Sequence, residues 1–249
     1  MAGGQVLARV IDEQLVATRY SQLVPAAKEL FFRKGFHKTS VRELADAAGW
    51  QMGTLYRYIS CKEDVLHLIA ESVSKDCIDT LLGVKIETSA RGTLHNAILD
   101  FFRTANRLRR EMRLIYRESA SLLPQHLEIQ KQRELEQRQI LSDMIRRGIE
   151  GGEFRPVNPD LMAQTILMLA SMWALKRWAL VDFLDFDTYC EHQLDLLFSR
   201  LTPAAEEIHG DASHSGGTVR GDREGIPGGD SKNPIEQRPA TDAAGLAVP

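Results

Sequence analysis

TSVRELADAAGWQMGTLYRYISCKE, Thr39 to Glu63, decides the fold. Ser40 followed three residues later by Glu43 is the reciprocal pattern that satisfies free N–H groups at a helix start. The helix it opens, through Leu44 and Ala47, is short, because Gly49 can take the positive φ of a tight turn. A second short helix, Met52 to Tyr58, follows. Ser60 with Glu63 then repeats the start signal for a long helix with Val65, Leu66, Ile69 and Val73 on one face. Upstream, Leu23, Ala27, Leu30 and Phe31 form an apolar stripe, with Pro25 read as a first-turn residue and Gly35 as the stop. Two short helices about a glycine turn, flanked by longer ones, make a helix-turn-helix module.

A recognition helix seats one face on its own domain and presents hydroxyls, aromatics and cations to the major groove. In Gly53-Thr54-Leu55-Tyr56-Arg57-Tyr58, Leu55 is the inward residue, with Ile59 four positions on. Thr54, Tyr56, Arg57 and Tyr58 then face outward, and Gly53 lets the backbone come close. Thr54 and Tyr56 suit a thymine methyl or a phosphate, and Arg57 a phosphate or a guanine edge. Thr39, Ser40, Arg42 and Lys62 stand beside helix N-termini, where hydroxyls, cations and free N–H groups together clamp phosphates. Taken singly, each of these is as readily an ordinary surface or capping residue; the ordered combination carries the reading.

The same residues resemble the tetracycline-repressor (TetR) family of one-component regulators over about Leu23 to Val73. The resemblance rests on Ala27, Leu30-Phe31, Gly35, Thr39-Ser40-Val41, Ala45, Ala48-Gly49, Gly53-Thr54-Leu55-Tyr56, Tyr58 and Lys62-Glu63. It implies DNA contacts at Thr39, Thr54, Tyr56, Tyr58 and Lys62. Three positions depart from the family pattern: Trp50 where a small aliphatic is common, Ile59 where Phe is usual, and Cys61 where Ser or Asn is common. Ile59 still fills a core position, so these departures bear on the operator sequence more than on the fold.

Charge placement agrees with a DNA-binding module. The chain of 249 residues has a net charge of -3. Arg19 to Lys62 nevertheless holds eight basic and three acidic residues, whereas Pro203 to Pro249 holds four basic and eight acidic ones. The positive charge is local, as an electrostatic footprint for phosphate should be. Cys61, Cys77 and Cys190 stand far apart, which suggests neither a disulfide framework nor a zinc site and fits a reducing cytoplasm. Asp12 and Glu13 interrupt any signal-peptide run, and Leu161 to Leu175 falls short of the roughly 18 apolar residues a membrane span needs. The seven histidines, among them His67, His95, His126 and His192, show no H-E-x-x-H pattern. With no G-x-S-x-G elbow, P-loop or dinucleotide fingerprint either, an enzyme, a metal and a cofactor are not expected. A scaffold binding only protein would leave Thr39, Arg57 and Lys62 without a task.

The expected organisation is all-α, with about nine helices at the observed apolar spacing. It comprises a flexible N-terminal arm (1–18), the DNA-binding domain (19–64), a ligand-binding and dimerisation domain (65–202) and a disordered acidic Gly/Pro-rich tail (203–249). In the third region, Arg91 to Arg109, Met112 to Ser121 and Pro124 to Gly151 read as helices. Leu161 to Leu175 is apolar nearly all round, and the next helix carries a stripe at steps of four and three. The dimer face is therefore expected at Leu161, Ile166, Leu169, Trp173, Phe186, Cys190, Leu194, Leu197 and Leu201, as a four-helix bundle across a two-fold axis. Such a dimer presents two recognition helices about 34–36 Å apart and calls for a palindromic double-stranded operator.

Pocket residues are sought among bulky and amphipathic side chains: Phe101, Phe102, Met112, Ile115, Tyr116, Leu122, Trp173, Arg177 and Trp178. Each is equally readable as core. The segments Tyr116-Arg117-Glu118-Ser119 with Leu122-Leu123-Pro124, and Gly148 to Arg155, resemble those of TetR-type regulators of fatty-acid and acyl-CoA metabolism. That resemblance implies a small hydrophobic effector, an acyl-CoA thioester, with Arg103, Arg107, Arg109, Arg110 and Arg113 available to its phosphates unless they are a solvated surface. A xenobiotic that induces an efflux pump is the competing effector. The long helix after Lys62 belongs to both domains and is the expected carrier of the ligand signal.

Overall fold

The computed structural model describes residues 3–203, with side chains from residue 14 onward. Nine α-helices make up the described chain: α1 (Gly3–Lys34), α2 (Val41–Ala47), α3 (Met52–Leu55), α4 (Lys62–Leu82), α5 (Ala90–Arg107), α6 (Arg109–Glu118), α7 (Pro124–Glu150), α8 (Pro159–Leu180) and α9 (Phe186–Leu201). Among the described residues there is no strand. Beyond Pro203, the expected tail lies outside the described residues.

α1 reaches back to Gly3 and so takes in most of the stretch expected as an arm. Gln5 to Val24 contains neither glycine nor proline, so nothing in it stops the helix. Pro25 consequently lies inside the helix rather than in its first turn, at the cost of one ladder hydrogen bond. At α2 the expected box forms: Ser40 Oγ accepts the Glu43 N–H at 3.3 Å, and the Glu43 carboxylate accepts the Ser40 N–H at 2.9 Å. The second box sits one residue later than expected. Because α4 begins at Lys62, Asp64 occupies its third position, and its Oδ2 accepts the N–H groups of Ser60 at 2.7 Å and Cys61 at 3.2 Å. Gly49 has φ +70°, the left-handed turn that lets α3 cross α2.

Two apolar cores result. The first joins Leu23, Ala27 and Phe31 of α1 to Leu44, Leu55 and Ile59, and to Val65, Leu66 and Ile69 of α4. Each such Leu-sized side chain contributes about 1.5–3 kcal/mol over the exposed state. The second core takes Val73, Cys77 and Leu81 from the same α4, with residues of α5, α7, α8 and α9. α4 therefore runs through both cores, as expected. So does α6: Leu114 belongs to the first core, and Ile115 packs against both. In the last turn of α7, a Cβ on Gly148 would stand 2.1 Å from the Phe154 ring, so the ring seats on bare backbone and seals the second core.

The apolar stripe of α9 is spent inside the chain. Cys190, Leu194, Leu197 and Leu201 are buried in the second core, and Phe186 packs on Trp173 with ring centroids 5.4 Å apart. Ile166 and Trp173 are buried there too, with Leu169 packed against the core, and Tyr189 Oη donates to the Leu169 carbonyl at 2.6 Å. Of the nine residues expected at the dimer face, Leu161 alone is exposed. Periodicity identifies an apolar face correctly but is blind to which neighbour covers it. The large apolar side chains left uncovered on α8, α9 and their connection are Leu161, Met168, Trp178, Val181, Phe183 and Leu196.

Candidate nucleic-acid interface and effector cavity

α3 is a four-residue helix that continues as hydrogen-bonded turns: Arg57 N–H donates to Thr54 at 3.2 Å, Tyr58 N–H to Leu55 at 2.9 Å and Ile59 N–H to Leu55 at 3.1 Å. Leu55 is fully buried beneath this segment, while Gly53, Tyr56 and Arg57 are exposed and Thr54 is half-buried. Ser40 and Arg42 are exposed at the start of α2. These side chains form one polar and aromatic surface over a closed core. Gln51 and Lys38 are also exposed there and were not singled out from sequence. Gln51 caps α3 by position without a side-chain capping bond, so its amide remains available; its place just after the glycine turn is the signal that could have found it.

Two expected phosphate ligands make bonds within the chain. Thr39 is 2% exposed, and its hydroxyl donates to the Gly35 carbonyl at 2.8 Å. Lys62 Nζ donates to the carbonyls of Phe36 at 3.1 Å and His37 at 3.2 Å, and lies 4.6 Å from the Phe36 ring centroid. Both tie the corner after α1, where carbonyls left free by the helix end need donors. Tyr58 is half-buried: its ring lies 5.6 Å from Trp50, and its carbonyl accepts the Tyr20 hydroxyl at 3.2 Å.

A cavity of about 350 Å³ opens among α4 to α8. Its walls are largely apolar, with Val73, Cys77, Phe101, Met112, Ile115 and Leu167; Tyr116 and Met168 are exposed at its mouth. Burial pushes the Cys77 thiol up to about 12, so it faces the cavity as a neutral group. On one side Ser74 donates to Gln130 at 3.1 Å, and Gln130 donates in turn to Glu71 at 2.8 Å. Phe101, Met112, Ile115 and Tyr116 thus line the cavity as expected, and five residues do not. Phe102 packs in the second core near Tyr189, and Leu122 in the first core. Trp173 is buried, with Nε1 donating to Asn106 at 3.0 Å, whereas Arg177 and Trp178 point to solvent.

The arginine cluster disperses around its helices. Arg103 pairs with Asp100 and Arg107 with Asp76, Arg109 donates to the Asn106 carbonyl, and Arg110 lies 4.1 Å over the Phe32 ring. None of them lines the cavity. Among the described residues, no group of three His, Cys, Asp or Glu is placed to hold a metal ion. No helix among them is long and apolar enough to cross a membrane.

Residues 23–69 match the family described as bacterial regulatory proteins, tetR family, and residues 87–178 match the tetracyclin repressor-like C-terminal domain. The HTH-type transcriptional regulator HbdR of Aromatoleum sp. (strain CIB) is 32% identical over 76% of this chain and 82% of its own. This chain belongs to the TetR family. It is a DNA-binding, ligand-responsive transcriptional regulator of the repressor type. The HTH-type transcriptional repressor KstR2 of Mycolicibacterium smegmatis is 30% identical over 65% of this chain and 80% of its own. FadR of Bacillus subtilis, solved in complex with stearoyl-CoA, shares the fold with a TM-score of 0.60 at 23% identity, over 72% of this chain and 98% of that one.

Proposed function

We propose that this TetR-family protein is a cytoplasmic repressor without enzymatic activity, which binds a palindromic operator as a two-fold dimer and is released by a hydrophobic effector carried as an acyl-CoA thioester. The observation that carries the DNA-binding face is the set of exposed polar and aromatic residues, Ser40, Arg42, Gly53, Tyr56 and Arg57, with half-buried Thr54 and Tyr58, around fully buried Leu55. The exposed apolar residues Leu161, Met168, Trp178, Phe183 and Leu196 supply the face for the second copy.

The apolar walls of the central cavity suit an acyl chain, and the stearoyl-CoA complex of FadR supports that ligand class. Arg113, exposed beside the cavity residue Met112 and in no ion pair among the described residues, is one cation available next to the cavity wall. One observation favours a xenobiotic instead: the cavity's polar lining is Ser74, Ser119, Gln130, Gln137 and Ser171, with Glu134 and no cation. α4 and α6 carry cavity residues at one level and DNA-domain core residues at another. A ligand that shifts them changes DNA affinity by its differential binding energy, about 1–3 kcal/mol in typical coupling.

The test is fluorescence anisotropy of the purified protein on DNA from upstream of its own gene, titrated with acyl-CoA thioesters of several chain lengths. Release by one of them supports repressor and effector class together. Specific binding that none of them disturbs rejects the acyl-CoA proposal and favours an efflux-type inducer.

A further inference from the structure

Arg19 lies on α1, outside the helix-turn-helix signature, yet its guanidinium carbon stands 5.4 Å from the ring centroid of Trp50 in the turn before α3. The Trp50 ring in turn meets Tyr58, 5.6 Å away and tilted by 48°. Tyr20, next to Arg19, closes the group: its ring meets Tyr58 edge-on at 6.5 Å, and its hydroxyl donates to the Tyr58 carbonyl at 3.2 Å. Arg19 is therefore held against the turn that precedes the reading segment. A small aliphatic at position 50 offers no such platform.

The guanidinium is positioned but under-used. Its Nε is buried without a hydrogen-bond partner, and Nη1 has only a long contact to Gln22 Oε1, at 3.4 Å. Arg19 makes no ion pair among the described residues. A planar cation stacked on an aromatic face keeps its edge donors free, and that edge matches a phosphate in geometry and charge. We propose that Arg19 binds a backbone phosphate of the operator beside the recognition segment, and that Trp50 is its positioning residue. The proposal rests on the DNA-binding reading above and adds a contact from α1 to it.

Anisotropy over a range of salt concentrations tests it, because each phosphate neutralised contributes about 0.9 to the slope of log K against log salt. Arg19→Gln should lower that slope by about 0.9 and weaken binding equally on specific and scrambled duplexes, and Arg19→Lys should restore most of it. Trp50→Val, which keeps the charge and frees it, should give an intermediate slope. Thermal melts of each variant separate loss of fold from loss of contact, since a merely structural arginine lowers the melting temperature and leaves the slope unchanged. A wild-type slope in folded Arg19→Gln overturns the phosphate contact while leaving the regulator reading intact. Wild-type protein that binds no DNA overturns both.

Discussion

The Glu118 carboxylate at the end of α6, 6% exposed, lies 2.9 Å from His37 Nε2 in the corner between α1 and α2 and accepts a bond from Arg117 Nε at 2.8 Å. It joins the helix that lines the effector cavity to the corner that Lys62 also holds. Glu118→Gln keeps the volume and removes the charge, so stability to urea should fall by about 1.5–3 kcal/mol, the range for hydrogen bonds to charged groups. The ratio of DNA affinities with and without a releasing acyl-CoA should shrink several-fold. An unchanged ratio would mean that α6 signals by another contact.

Tyr56 and Leu55 are neighbours with opposite environments, 55% and 0% exposed. Tyr56→Ala should abolish discrimination between operator and scrambled DNA with the melting temperature nearly intact. Leu55→Ala should instead cost about 2–5 kcal/mol of stability through the cavity it leaves. Circular dichroism melts beside anisotropy distinguish the two, and an unfolded Tyr56→Ala would contradict the surface role.

Lys62 supplies donors to the carbonyls of Phe36 and His37. Lys62→Met is therefore expected to lower stability by about 1–3 kcal/mol while leaving the salt slope of DNA binding at its wild-type value. A slope reduced by about 0.9 at unchanged stability would return Lys62 to the phosphate contacts that the family resemblance implies.

Hydrogen bonds from Lys34 and from the Ser40 backbone and hydroxyl hold the Glu43 carboxyl at about 2, below its ordinary 4.5. A depressed carboxylate contributes stability that is complete above its unfolded value and is lost as pH falls through the folded one. The stability gap between wild type and Glu43→Gln should thus be widest above pH 4.5 and close as pH falls toward 2. A gap independent of pH would show that the capping box acts without the charge.

His67 works in the opposite pH direction from a salt-bridged histidine. Burial, and then the His126 ring stacked 4.1 Å away, hold it below its ordinary 6.5. The unfolded chain then binds the proton more readily, so stability is complete above pH 6.5 and falls as pH drops through and below it. His67→Gln should flatten the stability profile below pH 6.5. Imidazole titration by NMR provides the direct check.

Local chemistry was the legible part of the sequence. The Ser40–Glu43 box, the Gly49 turn and inward Leu55 depend on residues within a few positions of one another, and all three stand as expected. The second box shifted because Asp64 and Glu63 are both plausible partners, and only the backbone decides which carboxylate reaches back. Thr39 bonds the Gly35 carbonyl because the chain folds back over the corner after α1, and Lys62 reaches carbonyls more than twenty residues away, a pairing no local pattern shows. Most of the cavity wall was missed for a related reason: Ser74 and Gln130 carry no apolar signal, and α4 meets α7 only in three dimensions. The α9 stripe shows the same limit, since its spacing specifies a buried face but not the α5 and α8 surfaces that bury it.

The most direct test of the central claim is a hydroxyl-radical footprint of the protein on DNA upstream of its own gene. A dimer bound through this surface gives two symmetric protected patches on one face of the duplex, about one helical turn or 34–36 Å apart, each reporting one copy of the Ser40–Tyr58 surface. Protection that is absent or uniform along the duplex at physiological salt would contradict it.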